Sequence, residues 1–104
     1  MNQEEKDELF MEISREVGEM LCKKNHDYGD SAHDVYEDLG DMIVYVRLLD
    51  KLGRLRTHVK GSKFKITGES VKDIYRDMAG YSILALASIE RIKQKQYTSK
   101  EEQK

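Results

Sequence analysis

The chain has 104 residues, room for one domain and not two. Hydrophobic residues make up 38% and charged residues 37%, too polar for a membrane protein and too apolar for a disordered one. The net charge of −2 conceals a segregation: residues 27–50 carry seven acids against Arg47 alone, whereas residues 51–68 carry six bases and no acid.

The chain contains no proline, which favours long uninterrupted helices over the many turns of a sandwich or barrel. The opening MNQEEKDELF is acidic and lacks the basic and apolar regions of a secretory leader. No apolar run reaches the ~18 residues of a membrane span, so a cytoplasmic protein with no membrane partner is expected. Cys22 is the single cysteine, which excludes an internal disulfide framework and a multi-cysteine zinc site.

A first helix is predicted over residues 3–23. Phe10, Ile13, Val17, Met20 and Leu21 share one face, and charged residues fill most of the rest. The break is expected in KKNHDYGDS, residues 23–31, where Gly29 can take a positive φ at low cost. A second helix is predicted from Ser31 to about Leu55, with Ser31 and Asp34 as a variant capping box. Its residues Val35, Leu39, Met42, Val46 and Leu49 alternate four and three apart, the spacing of a bundle seam.

Residues 57–69, THVKGSKFKITGE, read as an irregular loop or short hairpin. A third helix is capped by Ser70 with Asp73 three residues on. It carries Val71, Ile74, Met78, Tyr81, Ala85, Ser88 and Ile92 at heptad spacing, and is apolar on most faces from Met78 to Ile89. The domain is expected to end near residue 96, followed by a polar, frayed tail over 97–104. The expected fold is therefore all-α: a three-helix or four-helix antiparallel bundle. Its core is thin, and covering the Met78–Ile89 helix calls for a homodimer or higher oligomer.

Three constellations could carry chemistry. Glu37, Asp38 and Asp41 fall at i, i+1 and i+4, and Asp77 sits beside the most apolar stretch. Acids from two helices facing one groove suit Mg²⁺ and a phosphorylated ligand, although acids near helix N-termini are also stabilising without any function. A buried Asp77 also suits an ion pair with Arg47 or Arg54. Arg47, Lys51 and Arg54 form one stripe, either a phosphate clamp or a solvated face laced with ion pairs. Tyr28 and Tyr81 can stack on a base or fill a core. His26, His33 and His58 share no metal-ligand spacing. The basic 51–68 segment lacks a helix-turn-helix pattern, and the acidic stripe would repel a phosphate backbone, so nucleic acid is disfavoured as a partner.

The blocks KKNHDYGDS, VRLLDKLGRLR and ESVKDIYRDMAGYSILAL, in that order over about residues 20–90, resemble the nucleotide modification associated domain 1 family, whose members are common in bacteriophages. The resemblance implies a small all-α protein linked with nucleotides, without an established catalytic mechanism. The layout is also similar to the MazG-like all-α nucleoside triphosphate pyrophosphohydrolases, which bind Mg²⁺ through Glu-Glu-x-x-Glu and Glu-x-x-Asp. Glu37-Asp38-Leu39-Gly40-Asp41 stands in place of the first motif and Asp77 in place of the last Asp, but Ile74 replaces the acid three residues earlier, with Asp73 the nearest substitute.

Two functional expectations follow, beside a third in which the bundle has no ligand and serves only as an interaction partner. In the first, the protein binds a nucleotide or nucleotide-derived signal, and a phage setting suits sequestering a host defence signal uncut. Arg47, Lys51 and Arg54 would meet phosphate, while Asn25, Asp27 and Tyr28, flanked by Lys24 and Ser31, would read base or sugar. Asp77 and Tyr81 would line the floor. In the second, Mg²⁺ held by Glu37, Asp38, Asp41 and Asp77 would drive pyrophosphate hydrolysis.

Overall fold

The computed structural model describes residues 1–61 and 70–102. Four α-helices, and no strand, are present among these residues: α1 (Gln3–Tyr28), α2 (Ser31–Leu39), α3 (Asp41–Val59) and α4 (Val71–Glu102). None of them is long and apolar enough to cross a membrane.

The expected first helix runs five residues further, through Lys24–Tyr28, and stops at Gly29. Asn2 and Glu5 close a reciprocal capping box at its start, with distances of 2.8 and 3.2 Å. Gly29 has φ 66° and ψ −153°, a conformation essentially reserved for glycine. The expected second helix is split. Gly40 adopts φ 64° and ψ −148°, ends α2 and redirects the chain into α3. Ser31 is not the cap of α2: Asp30 occupies that position and makes no side-chain cap bond, so the Ser31/Asp34 box does not form. The cap of the last helix is as the sequence indicates. Ser70 Oγ accepts from the Asp73 amide at 3.2 Å, and the Ser70 amide donates to the Asp73 carboxylate at 3.1 Å. The hairpin expected within 57–69 lies outside the described residues from 62 to 69, and α3 continues to Val59. Helix α4 runs on through residues 97–102 of the expected tail.

Helix α4 is the central element, packing on α1, α2 and most extensively on α3. Its inward face is the predicted heptad: Ile74 is fully buried, Ser88 is 4% exposed, and Val71, Met78, Tyr81, Ala85 and Ile92 are half-buried. Buried Gly80 brings α4 close to α1, where a Cβ would sit 3.4 Å from Leu21 Cδ2. The predicted faces of the earlier helices are covered only in part. On α1, Val17 is buried, but Phe10 and Ile13 stay exposed. The seam Leu39, Met42, Val46 and Leu49 faces solvent and not the chain's own core. The side of α3 turned to α4 carries Val44, Leu48, Lys51 and Leu55 instead.

Candidate functional site

A cavity of about 280 Å³ opens where the four helices meet. The end of α1 supplies Leu21, Lys24, Asn25 and Tyr28, and the start of α2 supplies Ser31, Ala32, Val35 and Tyr36. Ile43, Val44 and Arg47 come from α3, and Tyr81, Leu84, Ala85 and Ser88 from α4. The Gly29 corner is what lets α1 and α2 line two walls of one cavity, because the positive φ of Gly29 ends α1 and α2 begins two residues later.

The lining is apolar at its base and polar at chosen points, the usual composition of a small-molecule site. The Arg47 guanidinium lies over the Tyr81 ring at 5.6 Å from its centroid, a cation–π arrangement that holds a planar cation beside an aromatic face. Lys24 and Asn25 add a second cation and an amide from the α1 wall. Tyr28 is 74% exposed and stands at the edge of the cavity.

Behind the cavity runs a polar chain whose inner members, His33 and Ser88, are buried while Glu37 is exposed. Glu37 Oε1 lies 2.6 Å from His33 Nε2, and His33 Nδ1 lies 2.9 Å from Ser88 Oγ. The imidazole thus bridges the Glu37 carboxylate and the Ser88 hydroxyl, and Ser88 also lines the cavity. Reasoning from the sequence did not find this chain. The four-residue spacing of His33 and Glu37 is a usable signal, but Ser88 lies 55 residues away. Around it, Tyr36 donates to Asp41 at 2.7 Å across the Gly40 corner, and this bond to a carboxylate raises the phenol pKa above its ordinary 10.0. Arg91 grips both oxygens of Asp30 at 3.1 and 2.6 Å, tying the start of α2 to α4. That hydrogen-bonded guanidinium holds the Asp30 carboxyl below its ordinary range.

Of the ligand residues drawn from the sequence, Lys24, Asn25, Tyr28, Ser31, Arg47 and Tyr81 line this cavity, whereas Asp27, Lys51, Arg54 and Asp77 do not. The stripe Arg47–Lys51–Arg54 is not gathered on one ligand. Lys51 is 8% exposed and pairs with Asp77 at 2.7 Å, and Arg54 pairs with Asp50 at 3.4 Å. The partner of Asp77 is thus Lys51, not Arg47 or Arg54.

The four acids Glu37, Asp38, Asp41 and Asp77 are not assembled either. Glu37 is on His33, Asp41 on Tyr36 and Asp77 on Lys51, while Asp38 is exposed on α2. No group of three or more His, Cys, Asp or Glu among the described residues is placed to hold a metal ion. The reason is Gly40: it separates Asp41 from the helix that carries Glu37 and Asp38, so the i, i+4 spacing no longer means one face.

A family model described as nucleotide modification associated domain 1 matches residues 24–90. The matched segment spans every cavity residue except Leu21. No curated protein and no solved structure matches the chain.

Proposed function

This chain belongs to the nucleotide modification associated domain 1 family, and on that premise we propose that it binds a nucleotide or nucleotide-derived signalling molecule in the four-helix cavity. The observation that carries the reading is the Arg47–Tyr81 pair, with Lys24 and Asn25 on the facing wall. An aromatic face takes a base, two cations take phosphate, and an amide with Ser88 takes polar edges. About 280 Å³ suits a mononucleotide-sized group, near the ~300 Å³ lower end of ligand pockets. In this reading the ligand is kept and not cut, as befits sequestration of a signal. Three of the four acids that a Mg²⁺-dependent hydrolysis would use, Glu37, Asp41 and Asp77, are engaged with His33, Tyr36 and Lys51.

The test is incubation with nucleoside triphosphates, cyclic dinucleotides and cyclic ADP-ribose isomers, with and without Mg²⁺. A ligand at 100 times its Kd is expected to stabilise the fold by about 2.7 kcal/mol, visible as a raised Tm. The same ligand should be recovered intact after heat denaturation, and Arg47→Ala should abolish the shift. Recovery of cleavage products instead would establish the hydrolase. A panel without any Tm shift would sink the nucleotide reading.

A further inference from the structure

We propose that the outer face of α3 is a two-fold interface with a second copy of this chain, the two α3 helices running antiparallel. Helix α3 is apolar on two sides, and only one is covered. Met42 (63% exposed), Tyr45, Val46, Leu49 and Leu52 form a continuous stripe at helical spacing, opposite the face that packs on α4. A helix with apolar stripes on two sides has two partners. Within α3, Met42, Val46 and Leu49 keep the four-three spacing of helix pairing.

Charge selects a second copy and sets its direction. Asp38 and Asp41 flank one end of the stripe, and Arg56 and Lys60 flank the other, all of them exposed. Antiparallel pairing of two copies sets acids against bases at both ends, whereas parallel pairing sets like against like. None of the stripe residues lines the cavity, so this interface stands or falls independently of the nucleotide reading.

Sedimentation equilibrium of the full chain is expected to give twice the chain mass. A monomer at every concentration up to about 1 mM would overturn the proposal. Leu49→Glu is expected to raise the dimer dissociation constant on the order of 100-fold with helicity unchanged. If Leu86→Glu, on the exposed side of α4, breaks the dimer and Leu49→Glu does not, the interface is not on α3. Should Leu49→Glu fail to fold, charge reversal decides. Arg56→Glu is expected to weaken the dimer at least tenfold, and adding Asp38→Lys to the same chain is expected to restore it. An Arg56→Glu dimer that is unchanged or tighter overturns the antiparallel arrangement.

Discussion

The ammonium of Lys51 on α3 lies 2.7 Å from the carboxylate of Asp77 on α4, and Lys51 is only 8% exposed. This pair locks together the two most extensively packed helices. It also keeps out of the cavity two residues whose spacing suggests phosphate and metal binding. A buried charge is tolerated only with a partner, so the pair behaves as a unit.

Asp77→Asn leaves a buried ammonium facing a neutral amide. The expected loss is about 1.5–3 kcal/mol of stability, the range of a charged hydrogen bond, measured by urea denaturation, with ligand affinity in the cavity unchanged for the folded fraction. The double change Lys51→Met with Asp77→Leu is expected to recover most of that loss. Loss of ligand binding in a fully stable Asp77→Asn protein would show that Asp77 serves the ligand and not the fold.

The His33–Ser88 bond yields a second expectation. Both residues are buried, so Ser88→Ala strands His33 Nδ1 and is expected to cost about 1–3 kcal/mol. Because Ser88 also lines the cavity, ligand affinity should fall in the same variant. Ser88→Ala with wild-type stability would mean that the chain from Glu37 to Ser88 contributes nothing to the fold.

Two glycines should respond in opposite directions to the same change. Gly40 sits at φ 64°, so Gly40→Ala is expected to destabilise by about 1–3 kcal/mol, although no atom crowds its Cβ. Gly18 lies inside α1 with open space around it, so Gly18→Ala should stabilise by about 0.5–1 kcal/mol. Equal Tm values for the two variants would contradict the backbone assignment at Gly40.

Asp30 makes stability depend on acid pH. The Arg91 hydrogen bonds hold its pKa below the ordinary 3.8. A depressed folded pKa gives a contribution that is present above 3.8 and lost as pH falls through the folded value. Asp73, lowered first by the Ser70 backbone amide, acts in the same window. The stability gap between the native chain and Asp30→Asn should therefore shrink as pH drops below 3.8, and shrink with salt because the pair is half-exposed. A gap that stays constant from neutral to acid pH would show that the Asp30–Arg91 contact adds nothing.

Local signals in the sequence settled the local structure. The Ser70 cap needs only Asp73 three residues away, the turn at Gly29 only its own missing Cβ, and the inward face of α4 only its heptad. Lys24, Asn25 and Tyr28 reach the cavity because the KKNHDYGDS corner brings them there. Tertiary structure decided the rest, because periodicity reveals that a face is apolar but not what covers it. The seam from Leu39 to Leu49 looks internal in the sequence and lies outside in the fold. A single residue, Gly40, turned one predicted helix into two and scattered the acids of the metal motif. Lys51 found Asp77, and His33 found Ser88, only once α4 had packed on its neighbours, since pairings across 26 and 55 residues leave no spacing to read.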